Sequence, residues 1–246
     1  MKDLLIYAVF RALCAVCHLL GRSGSAGLGC LIGLACSMLD RRRGRIMANI
    51  ARGFGRARAY GIAKRYYEHL GLILVEYAQL GRIDPGGLEA WIDAAAVGRV
   101  RDATASGRGV IIMTGHVGNW ELTGYALTRS GVPLNSLYRP VGNEYLDRRL
   151  RRLRERIGQR THGKLGSMRW SLEVLRRCEM LGLLVDQDGG RAGVFAPMFG
   201  RLASTLPTAA KLARKTGAAI LPTASFRLRD RRQHRLVVGP DHPRQQ

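Results

Sequence analysis

Residues 109–122, Gly-Val-Ile-Ile-Met-Thr-Gly-His-Val-Gly-Asn-Trp-Glu-Leu, carry an apolar β-branched run straight into a glycine-flanked turn and then into a helical pattern. Gly115 and Gly118 permit the turn, Asn119-Trp120-Glu121 opens the helix, and Gly131 stops it just after Arg129. The unit is strand, turn, helix, and it recurs. Residues 134–138 and 181–185 read as two further strands with helical patterns between them. Residues 60–81 place Tyr66, Leu70, Ile73, Leu74 and Tyr77 on one packed helical face, and residues 143–157 form an arginine-heavy helix ending at Gly158. A helix over 207–216 leads through Gly217 into a strand at 218–226, and residues 236–238 supply a final hairpin strand. The alternation implies an α/β fold with a mostly parallel central sheet flanked by helices. No repeat or long linker divides the chain, so a single catalytic domain over 41–246 is expected behind an N-terminal segment, 1–40.

In open α/β sheets, sites form where strand ends meet the following loops. His116, Arg139 and Asp186 each fall just after a strand, so they are expected to converge on one sheet edge. Five residues separate His116 from Glu121. At helical spacing that is about 500°, which leaves the two side chains roughly 140° apart, so they cannot share a helix face. His116 therefore belongs in the turn, with Glu121 pointing back from the first helical turn. An imidazole steered by a carboxylate is a proton acceptor near neutral pH. None of His18, His69, His162, His234 or His242 has an acidic residue five positions later, and none follows a Val-Ile-Ile strand. A helix-capping histidine with a surface glutamate is the competing reading of the same residues. The chain has no Gly-x-Ser-x-Gly elbow, no phosphate-binding loop and no dinucleotide fingerprint, which withdraws support from hydrolase, P-loop and Rossmann readings.

Forty Lys and Arg against 18 Asp and Glu give a formal charge of +22, so the partners should be anionic. Residues 4–20 and 25–39 are two apolar runs, the first interrupted by Arg11 and His18. A central arginine costs at least about 2.5 kcal/mol in a spanning helix, so membrane association rather than a definite crossing is the expectation. Arg41, Arg42, Arg43, Arg45, Arg52, Arg56 and Arg58 follow, which by the positive-inside rule places the body on the cytoplasmic side. Five cysteines, four of them in the apolar N-terminus, do not form a secreted disulfide framework. Cys14-x-x-Cys17-His18 matches a haem-attachment pattern but lies in an apolar helix without a second ligand cluster. No metal or cofactor is expected. Nor is nucleic acid, since there is no aromatic-rich RNA signature and no helix-turn-helix pattern.

Taken in order, the motifs resemble the bacterial lipid A biosynthesis acyltransferases, the late, acyl-carrier-protein-dependent branch of the broader His-x-x-x-x-Asp/Glu glycerolipid acyltransferases. The resemblance rests on Arg45-x-x-x-Asn49-Ile50, Gly115-His116-x-Gly118-Asn119-Trp120-Glu121, and Tyr138-Arg139-Pro140 followed by Asn143. It continues through Asp186-Gln187-Asp188 and Phe195-x-Pro197-Met198-Phe199-Gly200, with Ala203 and Thr205 beyond. Gly53-Phe54-Gly55 stands where the family usually has an aromatic-proline stretch. The chain stops at Gln246, short of the family's C-terminal helix and its Pro-Glu-Gln-Tyr-x-Trp-like basic ending, so a truncated form is expected.

The resemblance implies a fatty acyl transfer from acyl carrier protein to a hydroxyl of an anionic membrane glycolipid, a lipid A precursor, at the cytoplasmic face of the inner membrane. Phosphatidylinositol mannosides and lysophospholipids are the alternative acceptors, and a non-enzymatic basic membrane- or nucleic-acid-binding protein is the alternative class. His116 is the expected general base and Glu121 its orienting acid. Arg154, the family-matched arginine four residues before Gly158, is the first candidate for oxyanion stabilisation, followed by Arg139 and the turn amides near Gly118 and Asn119. Asp186 is expected to orient an arginine or the acceptor sugar. By resemblance, Gln187, Asp188, Phe199, Gly200 and Thr205 join the substrate-binding set, and Phe195, Met198 and Phe199 are expected to line an acyl groove.

Overall fold

A computed structural model describes residues 1–84, 86–163 and 166–241. Residues 242–246, which hold His242 and the end at which a truncation is expected, lie outside the described residues. The chain divides into two compact units, one of residues 1–83, 196–202 and 230–232, the other of residues 84–195, 203–229 and 233 onward.

The first unit is built on three helices, α1 (Lys2–Leu39), α2 (Arg43–Phe54) and α3 (Arg56–Gln79). By length and composition α1 is apolar enough to cross a membrane. Its two apolar runs meet at Gly21, whose φ of 62° breaks the helical path. Ser25 Oγ donates to the carbonyls of Cys17 and Gly21 at 3.0 and 2.6 Å, which satisfies acceptors at the break. Beyond the kink α1 packs backbone to backbone on α3. A Cβ on Gly71 would stand 2.0 Å from the Gly29 carbonyl, and one on Gly33 would stand 2.4 Å from that of Tyr67. Small residues at such a crossing let the helix axes approach closely. Tyr67 donates to Asp40 at 2.8 Å just after α1, and Arg231 pairs with Glu68 at 2.7 Å.

The second unit is organised by a seven-stranded sheet. Its strands are β1 (Ile92–Asp93), β2 (Val110–Thr114), β3 (Leu134–Leu137), β4 (Gln159–His162), β5 (Met180–Leu184), β8 (Ala219–Arg227) and β9 (His234–Val238), in the order β1-β9-β8-β2-β5-β3-β4. Between β5 and β8 the chain forms a separate two-stranded hairpin, β6 (Val194–Met198) and β7 (Arg201–Thr205). Every pairing in the large sheet is parallel except β8 with β9. β2 lies between β8 and β5, and Val110, Ile111 and Ile112 are buried, as a central strand covered on both faces requires.

The helices of this unit are α4 (Gly98–Ala105), α5 (Trp120–Thr128), α6 (Glu144–Arg156), α7 (Ser167–Arg176) and α8 (Thr208–Thr216). Ile111, Leu181 and Leu183 form a core with Val174 and Leu175 of α7 and Ala209 and Leu212 of α8. Residues of the other parity, Ile112, Thr114, Leu134, Ser136, Gly182 and Leu184, face a cavity shared with α5 and α6. The mostly parallel, helix-flanked sheet is therefore as expected, with strand ends displaced by a residue or so.

Candidate active site

β2 and β5 run in register, with Thr114 opposite Leu184, so the segments leaving their C-terminal ends emerge side by side. This brings His116 and Asp186 together from positions 70 residues apart. The backbone N–H of His116 donates to Asp186 Oδ2 at 2.6 Å, and His116 Nδ1 lies 2.9 Å from Oδ1. Gly115 makes room for this approach, because a Cβ there would come within 2.8 Å of Oδ2. Burial by itself raises the Asp186 carboxyl, but the hydrogen bonds and charge of His116 outweigh it and hold the group below its ordinary value. With the carboxylate ionised, Nδ1 carries the ring proton and Nε2 presents its lone pair. The His116 side chain is 39 % exposed, with the Trp120 ring edge-on at 4.9 Å.

The turn beneath the ring is fixed from β8. Gly118 has φ +61°, and a Cβ on it would fall 1.8 Å from the Ser225 carbonyl, so only glycine fits. Ser225 Oγ accepts from the Asn119 N–H at 3.1 Å and donates to the Asn119 carbonyl at 3.2 Å. Asn119 Oδ1 caps α5, accepting from the backbone N–H groups of Glu121 and Leu122. These engagements give Gly118 and Asn119 their place in the fold of the turn.

Glu121 occupies the first turn of α5 and its side chain is 4 % exposed. It receives Arg154 in a two-pronged grip, Nε to Oε2 at 3.0 Å and Nη2 to Oε1 at 2.5 Å. The carboxylate on the ring is thus that of Asp186 and not, as the five-residue spacing predicts, that of Glu121. The reason is local geometry, since α5 directs Glu121 inward toward the last turn of α6 while the register of β2 and β5 delivers Asp186 to the turn. Arg154 is 16 % exposed, whereas Arg148 on the same helix is 55 % exposed and pairs with Glu144.

His116, Glu121 and Arg154 share one cavity of about 710 Å³. Its walls are largely apolar, with Ile112, Leu127, Leu134, Leu150 and Leu184 prominent, and Trp120, Arg139 and Gln187 also line it. Asp188 accepts from the Gly190 N–H at 2.9 Å, and the Thr205 hydroxyl donates to the Ala203 carbonyl at 3.2 Å. Phe199 and Gly200 form the two-residue turn of the β6–β7 hairpin, both at positive φ. Phe199 and Phe54, both of the first unit, pack at 4.9 Å, and Phe195, Met198 and Phe199 are all exposed. The cavity's apolar wall is supplied by the sheet, α5 and α6 instead of these three. Trp120, Ser136 and Gln159 line the cavity without having been singled out from the sequence. Trp120 is a bulky aromatic beside His116 and was open to notice; Ser136 and Gln159 sit in four-residue strands too short to reveal which side chains turn inward.

The family model for bacterial lipid A biosynthesis acyltransferases matches residues 2–246. A lipid A biosynthesis acyltransferase of Haemophilus influenzae is 31 % identical over 124 residues, 50 % of this chain and 39 % of that protein. A phosphatidylinositol mannoside acyltransferase of Mycolicibacterium smegmatis is 30 % identical over 151 residues, 60 % of this chain and 50 % of its own length. A lipid A biosynthesis palmitoleoyltransferase of Escherichia coli is 29 % identical over 178 residues, 71 % of this chain and 57 % of its own length. The chain thus spans about half the length of these relatives.

Proposed function

Because the chain belongs to the bacterial lipid A biosynthesis acyltransferase family, we propose that it transfers a fatty acyl group from a thioester donor to a hydroxyl of a membrane glycolipid. The observation that carries this reading is the His116 ring, held on Asp186 and open to solvent, beside a largely apolar cavity. Nε2 removes the proton of the acceptor hydroxyl as its oxygen attacks the thioester carbonyl. Asp186 keeps the ring in the right tautomer and stabilises the imidazolium that forms. The tetrahedral intermediate then collapses with cleavage of the C–S bond, and the imidazolium returns the proton to the departing thiolate. The acceptor oxygen is itself the nucleophile, so no acyl-enzyme is needed.

Arg154 supplies positive charge to the developing oxyanion, and Glu121 positions its guanidinium within the cavity wall. Arg139 and Gln187 contact the acceptor or the thioester arm, and the cavity receives the acyl chain. We assign acyl carrier protein as donor and a lipid A precursor as acceptor, at the cytoplasmic face of the inner membrane. The basic run after α1 supports that side of the membrane. The mycobacterial relative favours one second reading, a phosphatidylinositol mannoside acceptor. Incubating the chain with acyl carrier protein thioesters and each glycolipid, with products resolved by mass spectrometry, separates the two. A product heavier by one acyl group is expected from the wild type and none from His116→Ala. Equal turnover by His116→Ala refutes the general-base assignment.

A further inference from the structure

By length and composition α1 could cross a membrane, yet its contacts within the first unit leave little of it free to do so. Phe10, Leu13 and Cys14 pack with Cys17 against Val75 and Ala78 of α3. From that point charged and polar groups accompany the helix. Arg82 contacts the His18 ring, Arg22 donates to the Arg232 carbonyl at 2.6 Å, and Arg232 donates to Ser23 Oγ at 2.9 Å. Beyond the kink, Cys30 Sγ lies 3.5 Å from the carboxylate of Glu68, the partner of Arg231. A hydrocarbon core about 30 Å thick takes about 20 helical residues, and charges beside them are costly. Lys2–Cys17, which precede the first of these groups, amount to about 16 residues or roughly 24 Å, and Arg11 interrupts them.

What α1 leaves bare is a stripe. Leu5, Val9, Val16 and Leu20 are exposed and fall within about 60° of one another around the axis, while Arg11 and His18 lie roughly 160° away. After the kink, exposed Leu31, Leu34 and Met38 share the face opposite buried Ser25, Gly29 and Gly33. A helix that is apolar on one side and polar on the other suits a membrane interface, whereas a lipid-spanning helix is apolar all round. Arg41, Arg42, Arg43 and Arg45 follow directly and are exposed, a charge that complements anionic headgroups. We propose that α1 does not cross the bilayer but lies in the headgroup boundary of one anionic leaflet, with its apolar stripe toward the acyl chains and both ends of the chain on the same side. The inference deepens the proposed function and rests on it only for which leaflet is occupied.

The test places a protease-sensitive tag at each end of the full chain and exposes bacterial spheroplasts and inverted membrane vesicles to protease. Both tags are expected to survive in spheroplasts and to be cut in inverted vesicles. Tags cut from opposite sides overturn the inference while leaving acyl transfer intact. Both tags cut in spheroplasts support the in-plane helix and overturn the cytoplasmic placing. Sedimentation of the purified chain with phosphatidylcholine vesicles, with and without phosphatidylglycerol, tests the occupant. Binding should be tighter with phosphatidylglycerol. Val9→Gln with Val16→Gln interrupts the stripe and should weaken it at least about ten-fold, at about four-fold per methylene withdrawn from the membrane. Circular dichroism verifies folding, and if the double variant does not fold, the tags decide by themselves. Unchanged binding by the folded variant overturns the inference, and so does a dimer in solution that ignores both kinds of vesicle. The expected topology in a chain that transfers no acyl group overturns only the enzymatic reading.

Discussion

Replacing Asp186 by asparagine isolates the role of the carboxylate at the His116 ring. The two Asp186 oxygens accept different protons, Oδ2 from the backbone N–H at 2.6 Å and Oδ1 from Nδ1 at 2.9 Å. Asparagine retains one acceptor. If its oxygen keeps the backbone N–H, its NH2 faces Nδ1, which must then become the acceptor, and the ring proton moves to Nε2. That removes the lone pair meant for the substrate hydroxyl and also the charge that stabilises imidazolium. The corresponding change in serine proteases lowers kcat about 10⁴-fold. Asp186 here is partly exposed, with a side-chain accessibility of 32 %, so water competes for the ring and a loss of about 10²–10⁴ is expected. At about 1.36 kcal/mol per decade this is roughly 3 to 5 kcal/mol of transition-state stabilisation. The assay is single-turnover acyl transfer at saturating donor, with circular dichroism to establish that the variant folds. A folded Asp186→Asn protein that keeps more than a tenth of the wild-type rate removes Asp186 from the mechanism.

Three further outcomes follow from the same coordinates. Glu121→Ala removes the two-pronged carboxylate partner of the largely buried Arg154 and should cost about 3–5 kcal/mol, lowering the thermal midpoint by roughly 6–20 °C, whereas Glu121→Leu with Arg154→Met should recover most of the stability without activity. Differential scanning calorimetry checks this, and a loss under about 1 kcal/mol for Glu121→Ala argues against a buried pair. Gly118→Ala should fail to form the turn, seen as loss of soluble folded protein, because its Cβ would collide with the Ser225 carbonyl at 1.8 Å. The depressed Asp186 carboxyl stabilises the fold above its ordinary ionisation near pH 3.9, and this contribution disappears as pH falls through the lower native value. Urea midpoints of wild type and Asp186→Asn should therefore differ near neutrality and converge in strong acid; a constant gap contradicts the linkage.

Much of the architecture is legible in local pattern. The Val-Ile-Ile run, the Asn119 cap and the glycines of the turn specify β2, the bend and α5 from neighbouring residues alone, and Asn143 and Gly158 bracket α6 in the same way. The two-residue β1 and the four-residue β4 are weaker, since neither is long enough for alternation to show which side chains turn inward. Among the six arginines on or beside α6, family resemblance singled out Arg154, but no spacing rule stated that its partner is Glu121.

The amino-acid order determined β2, α5, α6, the exposed basic surface and the placing of His116 in a turn, because periodicity, capping and glycine preferences act over a few residues. Only the folded sheet decided which acid serves the ring. His116 and Asp186 meet because β2 and β5 lie side by side in register, and that register is set by burial of their apolar residues against α7 and α8, a long-range condition that adjacent residues do not encode.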